Sequence, residues 1–387
     1  MKIAVVAPGR LPVPAVKGGA VESLIDVFLK YSKNSQDEFW VFSGSENMSR
    51  EFENGKIHYF QLKRLPVKNN IYNKIIRHYF PLNDDNEYLE YIIGTLKDIK
   101  IDCIVVENRP LFVKKIKDAL KVPVYLHMHN DALVGKKREA KAIEKCSKIL
   151  AVSNYIESCI KKNYPKAKIS VVYNGISVQK FLPNNNIREK EKIREKYGIA
   201  EKDIVICFAG RFVESKGVLE LVRSYSKLQY FANVKLVIMG SSWYGVSTTN
   251  PYIEKVKREA KKCKNKIIFT GYLSNNKVAE LEAVADIAVL PSMWEEPLGL
   301  SILEAMASGL AVISTKSGGI KEIIKENSGI LLNRDDKMLD NMTFYLEKLI
   351  LNDEYRKMLG KNARKRVEEC FTEEKYYKCF RKELNEQ

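Results

Sequence analysis

The sequence predicts an α/β protein whose 387 residues form two similar halves. Short apolar runs alternate with amphipathic helical patterns along the first half, and the same alternation restarts after a polar stretch at 184–203. Strands that alternate with helices usually pair in parallel, and the helices cover both faces of the sheet. A chain of this length also exceeds the size at which one hydrophobic core usually stops growing. We therefore expect two domains, each with a parallel sheet.

Each predicted strand is a short apolar run. Those of the first half are residues 2–7, 38–43, 101–107, 122–128, 148–153 and 168–174, with helices expected at 21–31 and 87–98. Those of the second half are 204–210, 234–240, 266–271, 286–292 and 310–319. The hinge is placed at 173–183, and a ligand is expected in the cleft between the halves, outside the carboxyl ends of the strands. The helical pattern at 371–387 would pack back across the hinge.

Charge and cysteine content narrow the class of protein. Lys and Arg total 65 against 48 Asp and Glu, and this net charge of +17 should attract polyanions, anionic lipid or phosphorylated small molecules. The seven cysteines are scattered without a Cys-x-x-Cys pair, which favours a reducing cytoplasm over a disulfide or zinc framework. The sequence shows no signal-peptide pattern and no stretch near the roughly 20 apolar residues of a spanning helix.

Two basic segments bear on membrane contact. Residues 62–80 mix basic side chains with isoleucine, tyrosine and phenylalanine, as interfacial elements do, and 135–148 form a second basic run. The alternative is a solvated face whose apolar residues pack on the core. The sequence favours the two interpretations equally, so peripheral association with the inner membrane face stays open.

The stretch SMWEEPLGLSILEAMASG, residues 292–309, places two acids eight positions apart. Proline follows Glu296 and a glycine follows soon after, so Glu296 should lie in a loop and a helix should begin near Leu300. The final residue, Gly309, should end that helix. Glu304 then lies within the helix and Glu296 near its positive end, which suits a ligand that carries both phosphate and hydroxyl groups.

A second candidate for anion binding is CFAGRFVESKGVLELV, residues 207–222. It follows a predicted strand and opens a helix, with Arg211 and Lys216 beside a turn that contains two glycines. A guanidinium can bind two phosphate oxygens at once, and an ammonium adds a compact charge. The pattern is neither a Walker A sequence nor Gly-x-Gly-x-x-Gly, and basic residues at strand ends are often only solvated.

The first half offers two further candidates. Gly18 and Gly19 in VKGGAVESL would permit close approach to a substrate, or form a simple strand-to-helix turn. His127 and His129 should point to the same side of an extended strand. No third metal ligand is visible at suitable spacing and no metal is expected, so a hydrogen bond from an imidazole to a sugar hydroxyl is the alternative to a core role. The sequence contains no Gly-x-Ser-x-Gly motif of a serine hydrolase, and its first strand is not followed by the Gly-x-Gly-x-x-Gly motif of a dinucleotide-binding enzyme.

The order of these motifs resembles that of the retaining glycosyltransferases of family 4, which have the GT-B fold. The resemblance covers nearly the whole chain through KGGAVE, PVYLHMH, VVYNGISVQKF, AGRFVESKG and, above all, EEPLGLSILEAMASGLAVISTKSGGIKEI. It implies two Rossmann-like domains with parallel sheets facing a central cleft. Residues 1–176 would bind the acceptor and 177–370 the nucleotide sugar, and a helix at 371–387 would cross back to the first domain.

The resemblance also implies roles for the acids and bases of the second half. Arg211 and Lys216 would bind the diphosphate, Glu304 the ribose hydroxyls, and Glu296 the hydroxyls of the transferred sugar. The backbone amides expected to meet sugar and phosphate are those of Leu298, Gly299 and Leu300. Tyr272 lies where the family holds the nucleobase through backbone contacts.

In the first half, the resemblance implies that Gly18 and Gly19 face the diphosphate and the acceptor. His129 matches the family's histidine beside the donor sugar better than His127 does, but the pair leaves the choice open. His129 would complete the catalytic set, whose other members are Glu296, Arg211 and Lys216.

The implied reaction moves a hexose-type sugar from a nucleoside diphosphate, most often UDP, to a glycan or lipid-linked glycan with retention. Such an enzyme would be cytoplasmic, would act in cell-surface polysaccharide or glycoconjugate synthesis, and would need no cofactor, metal or nucleic acid. The two basic residues would stabilise the leaving diphosphate in place of a metal. Two alternatives stay open: another GT-B enzyme, such as a sugar-nucleotide epimerase or phosphorylase, and a non-catalytic binder of polyanions or membrane surfaces.

Overall fold

The structure is a computed structural model that describes residues 1–16, 19–45, 48–63, 83–133, 135–183, 186–240 and 251–385. The chain divides into two compact units. Unit 1 comprises Met1–Tyr173 and Tyr376–Gln387, and unit 2 comprises Asn174–Lys375. The passage from the first unit to the second falls at the start of the predicted hinge, 173–183.

Unit 1 is built on an eight-stranded sheet with the order β3-β4-β2-β1-β5-β6-β7-β8. The strands are β1 Lys2–Val6, β2 Glu38–Ser45, β3 Arg50–Asn54, β4 Ile57–Lys63, β5 Cys103–Glu107, β6 Val124–Met128, β7 Lys148–Ala151 and β8 Ile169–Val171. The helices are α1 Ala20–Ser32, α2 Asn83–Leu96, α3 Pro110–Leu120, α4 Lys137–Lys145 and α5 Asn154–Asn163. All pairs are parallel except β3 with β4, which is antiparallel.

Unit 2 is built on a six-stranded parallel sheet with the order β11-β10-β9-β12-β13-β14. The strands are β9 Ile204–Ala209, β10 Val234–Met239, β11 Ile267–Gly271, β12 Ile287–Leu290, β13 Ala311–Thr315 and β14 Ile330–Leu332. The helices are α6 Ile187–Lys196, α7 Val218–Ser226, α8 Pro251–Ala260, α9 Asn275–Glu282, α10 Leu300–Ala307, α11 Ile320–Ile323, α12 Met338–Leu351, α13 Asp353–Cys370 and α14 Glu373–Asn385. The last of these extends from unit 2 into unit 1.

Burial explains why the central strands form where the apolar runs predict them. All residues from Ile3 to Val6 in β1 are at most 3% exposed, because helices cover both faces of a parallel sheet. The predicted α/β class with two parallel sheets is confirmed. The sequence analysis missed β3, β4 and β14, and the antiparallel β3 is an exception to the predicted parallel pairing. Exposed charges dominate β3, and β14 has only three residues, so neither shows an apolar run.

The last helix, α14, belongs to the core of unit 1 from Tyr376 onward. Phe380 is 2% exposed and its ring centroid lies 4.9 Å from that of Phe28 on α1. The guanidinium of Arg381 donates two hydrogen bonds of 2.9 Å to the carboxylate of Asp37, which also binds the ammonium of Met1 at 2.7 Å. An apolar contact and a paired buried carboxylate therefore fix this helix in unit 1.

Candidate functional site

The loop and helix at 292–309 have the structure that the sequence predicts. After β12 the chain runs without regular structure until α10, Leu300–Ala307. Gly299 precedes this helix with φ 99° and Gly309 follows it with φ 74°, conformations that residues with side chains rarely adopt. The predicted limits of the helix are confirmed.

Lys216 lies in the turn after β9, at the centre of the sheet of unit 2. This turn contains a short 3₁₀ segment, Glu214–Lys216, and closes at Gly217 with φ 69°. A Cβ atom on Gly217 would lie 2.1 Å from the carbonyl oxygen of Pro291, so only glycine lets this turn approach the loop after β12. β9 and β12 are neighbours where the strand order reverses, which is where open α/β sheets usually bind ligands.

Glu296 is the acid that Lys216 contacts. The Lys216 ammonium donates to Glu296 Oε1, and Ser292 Oγ donates to the same oxygen at 3.1 Å. The backbone carbonyl of Glu296 accepts the N–H of Gly319 at 2.8 Å, which fixes the loop. Glu296 is only 7% exposed, so a nearly buried carboxylate is held by one cation and one hydroxyl group.

The start of α10 offers backbone donors beside this pair. The helix has no side-chain cap, and the first N–H groups of any helix lack partners within it and carry partial positive charge. Within the described part of the chain, the N–H groups of Leu298, Gly299 and Leu300 make no hydrogen bond. Gly299 and Ser301 line a small cavity together with Lys216, Ser292 and Glu296. This cavity thus combines a cation, a carboxylate and the start of a helix.

Glu304 lies further along α10, beside a second buried acid. Burial raises the pKa of Glu304 to about 7, against the opposing effect of the Lys180 ammonium. Glu282 at the end of α9 is 1% exposed and accepts a hydrogen bond from Ser308 Oγ at 3.1 Å. Burial, with a further contribution from Glu304, raises the pKa of Glu282 well above its ordinary value. The two carboxyl groups therefore titrate together, and at neutral pH the pair retains a proton.

Arg211 and Tyr272 lie at the same edge of this sheet. Arg211 comes two residues after β9, and Tyr272 directly follows β11. Both strands end at the edge from which Lys216 and Glu296 also extend. The Arg211 side chain makes no ion pair with any described residue, and Tyr272 is 45% exposed. The structure brings Lys216 and Glu296 into contact and leaves Arg211 and Tyr272 available at this edge.

Unit 1 brings together Glu107, His127 and His129 at the carboxyl ends of β5 and β6, and we call these three side chains the histidine cluster. His129 Nε2 lies 2.7 Å from Glu107 Oε2, and His127 Nδ1 lies 3.0 Å from the same oxygen. The two imidazole centroids are 4.1 Å apart. The two histidines therefore point to the same side, as predicted, and a carboxylate that the sequence analysis did not select lies between them.

Burial and mutual contact set the charges of the histidine cluster. Burial alone would raise the pKa of Glu107, but the nearby His127 ring and the hydrogen bond with His129 outweigh it and lower this pKa to about 2. Burial lowers the pKa of His129, and the nearby imidazole of His127 adds to the effect. Glu107 is therefore ionised and His129 neutral at pH 7.

The histidine cluster is also a group of side chains that could hold a metal ion. Each offers one ligand atom, and these atoms lie within 4.8 Å of one another. Glu107 is thus a third candidate metal ligand beside His127 and His129. The sequence spacing does not reveal it, because Glu107 is distant from both histidines along the chain. That no metal is required remains a prediction.

Gly19 lies in the turn before α1. Its φ is 107°, and a Cβ atom there would lie 2.3 Å from Glu22 Oε2, so the turn requires glycine. Glu22 is 4% exposed, and burial raises its pKa. Gly18 lies outside the described residues, as does the predicted interfacial segment from residue 64 onward. Among the helices that the structure describes, none is long and apolar enough to cross a membrane.

Three residues at these sites were missed by the sequence analysis. Glu107 is the last residue of an apolar strand, and residues at that position line the carboxyl edge of the sheet, where ligands usually bind. Ser292 opens the loop that contains Glu295 and Glu296. A hydroxyl side chain in the same short loop as two acids is a sequence signal that could have identified it as a hydrogen-bond donor to one of them. Glu282 gives no signal of its own, since only the fold brings the end of α9 near Glu304 and Ser308.

Comparison with known proteins identifies the class of enzyme. The family model for glycosyl transferases group 1 matches residues 189–366, and that for glycosyltransferase family 4 matches residues 24–180. The Bacillus subtilis protein YtcC, assigned as a glycosyltransferase, is 30% identical over 386 residues, which cover 96% of this chain and 89% of YtcC. This chain is a family 4 glycosyltransferase.

Two further comparisons extend this result. The glycosyltransferase is 28% identical over 224 residues to the lipopolysaccharide 1,2-N-acetylglucosaminetransferase of Salmonella typhimurium, which covers 57% of this chain and 56% of that one. Its fold matches that of HepE from Anabaena, solved in complex with UDP and glucose, with a TM-score of 0.75 at 16% identity over 100% of this chain and 99% of HepE. The glycosyltransferase therefore has the GT-B fold and belongs to an enzyme class that builds glycans.

Proposed function

We propose that this glycosyltransferase moves a hexose-type sugar from a UDP-sugar to a glycan or lipid-linked glycan, with retention and without a metal, in cell-surface polysaccharide or glycoconjugate synthesis. The contact between Lys216 and Glu296 at the start of α10 carries the proposal. A nucleotide sugar joins an anionic diphosphate to a neutral sugar rich in hydroxyl groups. A cation, a carboxylate and the start of α10 at Gly299 line one cavity and match those two parts.

The diphosphate would bind Lys216, Arg211 and the amides at the start of α10. A guanidinium can bind two phosphate oxygens, and the ammonium supplies a point charge. The charge of Lys216 is neutralised by Glu296. Donor binding would therefore give Lys216 a second anionic partner, and Lys216 and Arg211 would stabilise the charge that develops on the leaving diphosphate.

The two acids would bind opposite ends of the donor. Glu296 would accept hydrogen bonds from hydroxyls of the transferred sugar, and its pairing with Lys216 makes it an orienting group rather than a nucleophile. Glu304 would bind the ribose hydroxyls. Retention would follow from front-face displacement, in which a phosphate oxygen of the leaving group receives the proton of the acceptor hydroxyl.

UDP is proposed as the nucleotide because family 4 enzymes mostly use it, and HepE was solved with UDP and glucose. Tyr272 at the end of β11 is the candidate contact to the base, through its backbone, and that contact does not select uracil by itself. Unit 1 would bind the acceptor. Its exposed basic helix α4 and the net charge of +17 support an acceptor at an anionic membrane surface.

A thermal-shift screen of the purified enzyme against UDP, GDP, ADP, CMP and dTDP, without metal, tests the proposal. A nucleotide that binds only the folded enzyme must raise its melting temperature, by several degrees at about 100 times its Kd. We expect UDP to give the shift and Arg211→Ala to lose it. A shift with another nucleotide would correct the donor, and no shift with any of them would favour the polyanion-binder alternative.

Product analysis distinguishes the proposed transferase from the other GT-B enzymes, an epimerase or a phosphorylase. An epimerase would form product without an acceptor, and a phosphorylase would require free phosphate. The proposed transferase requires an acceptor and no phosphate. A surface binder would bind polyanions with a strong salt dependence that survives Glu296→Ala.

A further inference from the structure

Two consecutive acids in the loop after β12 contact opposite neighbours of that strand. In the sheet of unit 2, β12 lies between β9 and β13, and β14 lies beyond β13. Glu296 contacts Lys216, in the turn after β9. Glu295 contacts Gly318, in the loop after β13, and Arg334, two residues after the end of β14. The two acids therefore connect one loop to three other segments at the carboxyl edge of the sheet.

Both carboxylate oxygens of Glu295 have a partner. Oε1 accepts a hydrogen bond from the Arg334 guanidinium, and Oε2 accepts one from the backbone N–H of Gly318. The Glu295 side chain is 42% exposed and that of Arg334 is 26% exposed, so solvent screens the ion pair and it contributes little to stability. The hydrogen bond from Gly318 fixes the carboxylate to the main chain of the next loop. These contacts therefore constrain the geometry of the loop more than they stabilise the fold.

The loop after β13 lies directly against the main chain of Glu296. Gly319 donates its N–H to the carbonyl oxygen of Glu296 at 2.8 Å. A Cβ atom on Gly318 would lie 2.1 Å from that oxygen, and one on Gly319 would lie 2.3 Å from the carbonyl oxygen of Pro297. Only glycines let two loops approach this closely. Because Glu295 holds the two loops together at this contact, its partners also determine where Glu296 lies.

Other contacts fix the two ends of the same loop. Near its beginning, Met293 donates its N–H to the carbonyl oxygen of Ser215 at 2.8 Å. Its end is the start of α10. The middle of the loop, which contains Glu295 and Glu296, is held by the contacts of those two residues with the neighbouring segments.

We propose that Glu295 is a positioning residue, which holds the loop after β12 so that the Glu296 carboxylate stays beside Lys216 in the cavity at the start of α10. Its role rests on the proposed function, in which Glu296 orients the transferred sugar. Glu295 acts through Glu296 and not by contact with the donor. Removal of Glu295 should therefore preserve the cations that bind the diphosphate and reduce the fraction of enzyme in which Glu296 is correctly placed.

Hydrogen exchange measured by NMR tests the positioning without any substrate. In Glu295→Ala we expect the amides of Gly318 and Gly319 to exchange about tenfold faster than in wild type, because the partners of both lie in the loosened loop. Glu280→Ala is the matched control, since the Glu280 side chain is 41% exposed and pairs with Lys277 on its own helix. It should leave both amides unchanged. Equal exchange in Glu295→Ala and wild type would overturn the proposal.

Binding and turnover test the link to sugar transfer, with UDP and UDP-glucose as probes. In Glu295→Ala we expect UDP to bind within about threefold of wild type while kcat falls about tenfold, the effect of one lost hydrogen bond. Glu295→Gln should give an intermediate kcat, because its amide oxygen can still accept one hydrogen bond but has no charge for Arg334. A purely structural role would lower UDP binding and the melting temperature together with kcat, and that result would contradict positioning.

Arg334→Ala shows whether Arg334 acts through Glu295. We expect this variant to lose about threefold in kcat, as for an exposed ion pair. The double variant with Glu295→Ala should be no slower than Glu295→Ala alone, because the two side chains form one contact. Losses that multiply in the double variant would contradict this coupling.

The two measurements distinguish a failure of this role from a failure of the proposed function. If no transfer from UDP-glucose occurs, the proposed donor fails, and hydrogen exchange still decides whether Glu295 holds the loop. If exchange accelerates in Glu295→Ala while kcat stays unchanged, the position of Glu296 has no effect on transfer and the positioning role is wrong.

Discussion

Lys216 and Glu296 form an ion pair across the centre of the sheet of unit 2, between the turn after β9 and the loop after β12. Ser292 Oγ adds a second donor to the same carboxylate oxygen at 3.1 Å. Each charge therefore neutralises the other. A nucleotide sugar that binds both side chains must compete with the ion pair between them. Removal of Lys216 should therefore affect nucleotide binding most, and removal of Glu296 should affect the transfer of the sugar most.

Glu296→Ala should abolish transfer while nucleotide binding persists. Without its carboxylate partner, Lys216 has its charge free for phosphate, so UDP should bind as tightly as to wild type or more tightly. Loss of the sugar contact should lower kcat/KM by about 100-fold or more, as for other preorganised polar groups. Calorimetric titration with UDP and a steady-state transfer assay measure the two effects.

Lys216→Ala supplies the contrast to this variant. It should weaken UDP binding about tenfold or more, since hydrogen bonds to charged groups contribute roughly 1.5 to 3 kcal/mol. It also leaves the 7% exposed carboxylate of Glu296 without its cation. Equal losses of UDP binding in Glu296→Ala and Lys216→Ala would contradict the separate roles.

Nucleotide binding should depend on the ionisation of Glu304. Burial raises its pKa to about 7, so the group is mostly ionised at pH 8 and mostly protonated at pH 6. If only the carboxylate binds the ribose hydroxyls well, UDP affinity should fall about tenfold from pH 8 to pH 6. The diphosphate itself titrates in this range, so Glu304→Gln provides the baseline. An identical pH profile in wild type and variant would refute the prediction.

The raised pKa of Glu304 also affects the free energy of unfolding, and there the protonated form is the favourable one. The folded state favours the protonated carboxyl, so this contribution is fully present below the ordinary pKa of 4.5 and is lost as the pH rises through about 7. Glu304→Gln should therefore melt higher than wild type at pH 8.5 and close to it at pH 4.5. Thermal unfolding at the two pH values measures the two melting temperatures. A difference between wild type and Glu304→Gln at pH 4.5 alone would contradict the prediction.

Gly217→Ala should disrupt the turn that holds Lys216. Gly217 and Gly271 have similar positive φ values, 69° and 72°, so alanine at either costs roughly 1 to 2 kcal/mol in backbone strain. Only at Gly217 does the new Cβ also meet a backbone atom, the Pro291 oxygen at 2.1 Å, whereas at Gly271 it meets nothing within 4 Å. Gly217→Ala should thus lower the melting temperature several degrees more than Gly271→Ala. Equal shifts would show that the clash is relieved at no cost.

Phe380→Ala should destabilise unit 1 through its last helix. Phe380 is 2% exposed, and truncation of a buried phenylalanine costs about 3 to 5 kcal/mol. Phe344→Ala is the control, since that side chain is 58% exposed. Hydrogen exchange in β1 and β2 should accelerate in Phe380→Ala only. Unchanged protection there would mean that α14 is not needed for the sheet.

The central strands and α10 could be predicted from the sequence because local signals determine them. Continuous apolar runs mark strands that are buried on both faces, and Gly299 and Gly309 mark the limits of α10. The edge strand β3 carries no such signal, since three of its five residues are exposed charges, which are compatible with a loop. Edge strands need only one partner, so their sequences are less constrained.

The partners of the site residues depend on contacts distant in sequence. Glu296 and Lys216 were selected separately, but no spacing rule shows that they touch, since 80 residues separate them. Glu107 was counted only as the end of a strand. It becomes the centre of the histidine cluster because parallel pairing places it beside His127, and only the fold supplies that neighbour.

The first unit is assembled from two distant stretches of the chain. Its core needs Phe380 and Leu384, and Arg381 must reach Asp37, whereas the second unit is one contiguous stretch from Asn174 to Lys375. During synthesis, the earlier half would thus wait with an incomplete core until residues beyond 380 have left the ribosome. Domains usually fold in the order in which they are made. Here the second unit can complete its core before the first, so a nascent chain would expose unit 1 to chaperones and proteases for longer than unit 2.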